Sequence, residues 1–175
     1  MKRSLTPAII GLLAVLIALV AVLTLLVRVP TPARGYVNLS DAAITFAGLA
    51  FGPWIGAIAG GAGTAIADML GGFAPYAPIS LLAHGVQGLL VGLMAGGSRD
   101  IRRMILAWLA GAIAMVAGYL LGGTVYVGFP LAVAEVPLNA MQTIVGALVG
   151  IPLVFAVRKA YPPVDRLGQR AKWTE

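Results

Sequence analysis

The feature that most constrains this chain is the spacing of its charges. Between them lie five apolar windows, 5–27, 42–67, 69–98, 104–134 and 136–157, with His84 the sole titratable interruption of the third. A helix crosses hydrocarbon with about 20 predominantly apolar residues, and each window meets that length. Charged residues make up only 10% of the chain, against about 25% in soluble domains, so a water-facing surface of the usual kind cannot be assembled. The expected fold is an all-α integral membrane protein, one compact domain spanning 1–175. No polar stretch approaches the roughly 50 residues at which soluble domains start.

Composition removes whole classes of chemistry. There is no cysteine and only one histidine, which excludes disulfide frameworks, thiolate zinc sites and multi-histidine metal centres. No metal and no cofactor is therefore expected. No G-x-x-x-x-G-K-[ST], G-x-S-x-G or H-E-x-x-H occurs, which argues against a P-loop ATPase, a serine hydrolase and a zincin. The run Gly60-Gly61-Ala62-Gly63-Thr64-Ala65 has glycines but no P-loop lysine, and reads as helix packing. An enzyme is not expected. Nor is nucleic-acid binding, because in a membrane protein the placement of basic residues says more than their excess.

That placement sets the topology. The first window follows Lys2 and Arg3 but is too long for a signal-peptide core and lacks a clear cleavage site, so it reads as a retained helix. The second window contains Gly52-Pro53, and proline starts helices more readily than it continues them. With the amino end inside, Arg99, Arg102 and Arg103 are also inside only if an even number of crossings precedes them. The chain therefore divides into six helices, 5–27, 39–52, 53–71, 79–97, 103–123 and 137–158, with a basic tail over 159–175 and both termini cytoplasmic. Ten of twelve basic residues then lie inside (Lys2, Arg3, Arg99, Arg102, Arg103, Arg158, Lys159, Arg166, Arg170, Lys172), and Arg28 and Arg34 outside. The second helix is short for a span and needs shielding by its neighbours. Outer loops are expected at 28–38, 72–78 and 124–136, rich in Pro, Gly, Tyr and Phe.

Small residues recur at four-residue spacing: Gly52, Gly56, Gly60; Gly88, Gly92, Gly96; Gly118, Gly122; Gly146, Gly150. Such stripes let helix backbones approach closely in lipid, which is the simpler reading beside contact with partner subunits. Ala14 and Ala18 repeat the spacing on the first helix.

Polar residues within spans carry the functional signal, because they are costly there. Asn38-Leu39-Ser40-Asp41 opens the second helix and reads both as an N-terminal cap and as a ligand contact. Asp68 stands near the outer end of the third helix, open to pairing with Arg28 or Arg34, to capping, or to ligand contact. His84 and Gln87 share one helix face, and Glu135, Asn139 and Gln142 form a stripe on another. Two stripes at one depth point to a polar ligand pocket, with interhelical hydrogen bonding as the alternative. The inner half carries no titratable chain, which favours a one-sided binding cup over a proton-driven carrier. Tyr36, Phe73, Tyr76, Tyr126 and Phe129 in the outer loops serve either as interface anchors or as stacking platforms.

The segments Gly35-Tyr-Val-Asn-Leu-Ser-Asp41, Phe51-Gly-Pro-Trp54, Gly60-Gly-Ala-Gly-Thr-Ala-Ile-Ala-Asp68, Gly72-Phe-Ala-Pro-Tyr-Ala-Pro78 and His84-Gly85 resemble, in order and spacing, the substrate-binding S component of energy-coupling factor (ECF) vitamin transporters. The resemblance is closest to the hydroxymethylpyrimidine and pyridoxine group. It implies a six-helix protein in a prokaryotic plasma membrane, with a vitamin pocket near the outer surface closed by the loop after the first helix. It also implies that Ala14 and Ala18 contact a transmembrane coupling (T) subunit, with ATP hydrolysed by two partner ATPases. Asn38, Asp41, Asp68, Tyr76, His84, Gln87, Glu135, Asn139 and Gln142 become the substrate-binding candidates. His84 stands where the family often has lysine, and a histidine both donates and accepts. Riboflavin or another vitamin is the alternative substrate; a solitary facilitator or channel and a structural membrane subunit are the alternative classes.

Overall fold

The computed structural model describes residues 6–164 and Leu167. Lys2, Arg3, Arg166, Arg170 and Lys172, counted above among the inside charges, lie outside the described residues. Six α-helices are present among those described: α1 Pro7–Leu26, α2 Ser40–Phe51, α3 Pro53–Gly71, α4 Ala77–Ala95, α5 Ile101–Val127 and α6 Phe129–Ala160. A short antiparallel hairpin, β1 Val29–Pro30 with β2 Tyr36–Val37, joins α1 to α2, and a single 3-10 turn, Ala74–Tyr76, leads into α4. Four stretches, Pro7–Leu26, Ala74–Ala95, Ile101–Val127 and Phe129–Ala160, are long and apolar enough to cross a membrane.

The break between α2 and α3 falls on Gly52, whose φ of +90° is open to glycine at little cost, and on Pro53 at the first turn of α3. The α2 helix has 12 residues, and every one of them is buried. At 1.5 Å per residue it spans about 18 Å, well short of the hydrocarbon, and α1, α3, α4 and α6 pack around it.

The expected outer loop at 124–136 is not a loop. The α5 helix continues to Val127 and α6 starts at Phe129, with Gly128 at φ +91° as the whole connection. The expected start of the sixth helix at 137 falls inside α6, where Pro137 and Pro152 are both internal. Pro130 in the first turn provides the earlier start. In apolar surroundings backbone groups are best satisfied within a helix, and neighbouring helices absorb the carbonyl that an internal proline frees.

Glycine stripes bring the helices together. The α3 and α4 backbones touch: a Cβ placed on Gly56 would lie 2.6 Å from the Gly88 carbonyl oxygen, and one on Gly61 2.6 Å from that of Leu81. Gly92 meets Gly52 and Pro53 in the same seam. Gly150 lets α6 reach the Ala42 carbonyl of α2, where a Cβ would stand 2.7 Å away, and Gly63 admits Val20 of α1. The stripes therefore act as internal packing surfaces.

The end of the bundle remote from the hairpin is apolar inside. Phe46, Leu49, Phe51, Ile55, Val91, Met104, Ile151 and Val154 form its core. Arg158 closes this end while buried, donating to the carbonyls of Ser98 (2.5 Å) and Leu49 (3.3 Å), so it serves as a helix C-terminal cap as well as a topological marker.

Replacing Gly56 with valine is expected to lower the thermal unfolding midpoint in detergent sharply, by overpacking worth about 1–3 kcal/mol or more. Gly11→Val serves as the control, since a Cβ on Gly11 has nothing within 4 Å, and equal midpoints for the two variants would refute the packing seam.

Candidate substrate-binding site

A cavity opens at the hairpin end. Its walls come from α1 (Thr24), the hairpin loop (Ala33, Gly35, Tyr36, Asn38), α3 (Thr64, Asp68), the 3-10 turn (Tyr76), α4 (Ser80), α5 (Tyr119, Gly123, Val127) and α6 (Ala132, Glu135, Asn139). It holds about 510 Å³ of non-atom space with the open mouth included.

Of the nine candidates, Asn38, Asp68, Tyr76, Glu135 and Asn139 stand on the cavity wall. The structure places the other four beneath it. His84 lies one turn deeper along α4 than Ser80 and is fully buried. Its Nδ1 is 2.8 Å from Gln87 Oε1 and 3.3 Å from Asp41 Oδ1. Gln142 Oε1 accepts the Asn38 backbone N–H at 2.7 Å, which is the interhelical bonding weighed against ligand contact. The two polar stripes thus meet, but only the outer part of the α6 stripe reaches the cavity. Gly146 allows α6 so close to the Asp41 backbone that this carboxylate is enclosed between helices.

Asp41 is not a cap. The Ser40 N–H is taken by Asn38 Oδ1 at 2.8 Å, and no side chain bonds from the cap position, Leu39. Asp68 pairs with neither arginine; its Oδ1 accepts the Tyr36 hydroxyl at 2.6 Å. Arg28 instead donates to the Gly71 carbonyl at 3.2 Å and lies 5.7 Å from the Tyr36 ring centroid. Burial, and then the neighbouring Asp68, push the Tyr36 phenol far above its usual range, so the hydroxyl keeps its proton and donates at neutral pH.

The hairpin loop is tied to several walls at once. Glu135 Oε1 accepts the Ala33 N–H at 2.9 Å, and the Tyr76 hydroxyl donates to the Ala33 carbonyl. Tyr36 packs edge-on against Phe73 (centroids 4.5 Å apart), and Tyr76 against Tyr126 (5.0 Å). Tyr36 and Tyr76 therefore face the cavity with Phe73 and Tyr126 behind them, whereas Phe129 is exposed. Tyr126 and Phe129 sit on α5 and α6 in place of the expected loop.

Sequence reasoning missed Tyr119, Ser80 and Thr64. Tyr119 and Ser80 share a hydrogen bond of 2.7 Å, and the Tyr119 ring lies 5.5 Å from that of His84. A signal was present: Tyr119 is the one tyrosine within the expected helix 103–123, with a hydroxyl that must find a polar partner.

Such an arrangement, a helical membrane bundle with a polar cup at one end and a packed apolar half at the other, defines a solute-binding membrane component. Residues 4–159 match the family described as the ECF-type riboflavin transporter, S component. This chain belongs to that family, and it is a transport subunit of the multi-pass membrane type. It is 36% identical over 142 residues to an uncharacterized protein of Pyrococcus woesei, covering 81% of this chain and 95% of that one. It is also 36% identical over 141 residues to the thiamine precursor transporter HmpT of Lactococcus lactis subsp. cremoris, covering 80% of this chain and 76% of that protein.

Tyr36→Phe keeps the ring and removes the bond to Asp68. The variant is expected to lose about 1.5–3 kcal/mol of stability, the range for hydrogen bonds to charged groups, read as a lower unfolding midpoint. An unchanged midpoint would show that this bond does not hold the hairpin.

Proposed function

We propose that this S component binds a small vitamin or vitamin precursor, with pyridoxine or hydroxymethylpyrimidine favoured, at the outer face of a prokaryotic plasma membrane. It delivers the ligand inward through a transmembrane coupling subunit driven by two ATPases. The observation that carries this reading is the one-sided cavity, polar at the hairpin end above an apolar core that runs from Phe46 to Val154.

The orientation rests on charge. Arg99, Arg102, Arg103, Arg158 and Lys159 gather at the end opposite the cavity, and the positive-inside rule makes that end cytoplasmic, both termini with it. Coupling rests on α1, where Ala14 and Ala18 are exposed on the face turned away from the bundle and offer a close-approach surface for another membrane helix. A solitary facilitator would need a polar route through the half that Met104, Ile151 and their neighbours fill. Riboflavin is the second reading, favoured by the description of the matching family.

The test is thermal stabilisation of the detergent-purified protein by a panel of pyridoxine, hydroxymethylpyrimidine, riboflavin and other vitamins, with mass spectrometry of co-purified material. Binding at a hundredfold excess over Kd stabilises by about 2.7 kcal/mol, so one compound is expected to raise the midpoint clearly. No shift with any compound and nothing co-purified would favour a structural subunit.

Asn139→Ala is expected to weaken the stabilising ligand about tenfold, the effect of one lost hydrogen bond near 1.4 kcal/mol, with the ligand-free unfolding midpoint unchanged. Equal affinity in titration calorimetry would remove Asn139 from the site. In liposomes, uptake by this chain alone would overturn the coupled mechanism.

A further inference from the structure

His84 is the only histidine in the chain, it is fully buried, and it is not among the residues lining the cavity. Its Nδ1 faces two acceptors, Gln87 Oε1 at 2.8 Å on its own helix and Asp41 Oδ1 at 3.3 Å on α2, so Nδ1 carries a hydrogen. Nε2 has no hydrogen-bond partner among the described residues and goes unpaired with or without a proton. Asp41 therefore decides the charge of the ring.

Asp41 is itself fully buried, with Gly146 of α6 pressed against its backbone. A carboxylate taken out of water needs a counter-charge, and inside a membrane ionisable groups persist by pairing with one another. Arg28 and Arg158 are engaged elsewhere, the first with the Gly71 carbonyl and the second with those of Leu49 and Ser98 at the far end of the bundle. The other ionisable groups around His84 are Asp68 of α3, which acts on it electrostatically, and Tyr119 of α5, whose ring lies 5.5 Å away. Neither supplies a positive charge, and beyond the pair the core is apolar.

We infer that Asp41 and His84 form a buried proton-binding site beneath the cavity, a carboxylate–imidazolium pair that holds one proton more than the same two side chains hold in water at neutral pH. In water the imidazole is mostly neutral above about pH 6.5 and the carboxyl is ionised above about pH 4. Stripped of its extra proton, the pair is a lone buried anion with a second carboxylate, Asp68, close by. The folded chain thus binds one proton more than the unfolded chain, so its stability falls as pH rises. The site is placed to act on the cavity: Tyr119 stands edge-on to the His84 ring and shares a hydrogen bond with Ser80, and both line the wall. None of this depends on which ligand the cavity takes.

One histidine and no cysteine leave the range from about pH 7 to 9 almost free of other titrations, the amino terminus apart. The full chain, purified in detergent with a tag that contains no histidine, is labelled with 15N in the imidazole ring, and NMR reads both ring nitrogens at about pH 7.5. Both are expected to be protonated in the wild-type protein, whereas Asp41→Asn is expected to show a neutral ring with its hydrogen on Nδ1. In thermal unfolding the wild-type midpoint is expected to fall as pH rises through this range, the unfolding constant growing by up to about tenfold per pH unit for one proton. His84→Gln is expected to lose that response.

A neutral His84 ring in the wild-type protein at about pH 7.5 would overturn the inference. So would the same pH response in wild type and His84→Gln. The wild-type spectrum decides the matter even if neither variant folds.

Discussion

Everything in this molecule depends on how closely α3 and α4 approach. Their contact is backbone on backbone, with Gly56, Gly60 and Gly61 of α3 set against the carbonyls of Gly88, His84 and Leu81 of α4. In lipid there is no hydrophobic drive to bring two apolar helices together, so association rests on van der Waals fit, and fit is best where no side chain intervenes. The seam places Thr64 and Asp68 of α3 beside Ser80 of α4, which turns a packing solution into one wall of a binding site. A bulkier seam would splay these helices and scatter that wall.

Polarity is divided along the bundle axis. Toward the hairpin, Asn38, Asp41, Asp68, His84, Gln87, Asn139 and Gln142 are buried together; toward Arg158, the core is apolar. The lower polar layer of Asp41, His84 and Gln87 does not face the cavity, yet it lies between the cavity floor and the apolar core and braces α2 against α4. The cup therefore has a firm polar base. Membrane interiors tolerate such groups only when they face one another or a cavity, and both cases occur here one turn apart.

Much of this was legible in the residues. Charge spacing located the membrane segments, and Gly52-Pro53 with the placement of arginines split the second window in two. The glycine stripes reported close packing, and polar residues within spans marked the end of the bundle where the cavity opens. What sequence could not resolve was depth. Asn139 and Gln142 lie one turn apart on one face, yet the first lines the cavity and the second bonds the Asn38 backbone, because the boundary between them is set by where the hairpin loop folds in. The start of α6 at Phe129 rather than 137 is related: an internal proline such as Pro137 is tolerated where neighbouring helices satisfy the freed carbonyl. Asp68 was equally ambiguous, since no local pattern says that a tyrosine 32 positions earlier would take its Oδ1.

Gly128 has a mechanical consequence. With one residue between α5 and α6, that side of the mouth has no slack: displacing it means tilting two helices of 27 and 32 residues as a single lever. The opposite side is a hairpin of two-residue strands held by discrete hydrogen bonds. The rim is thus built unequally, a one-residue turn between two long helices on one part of it and a short hairpin fixed by separate hydrogen bonds on another.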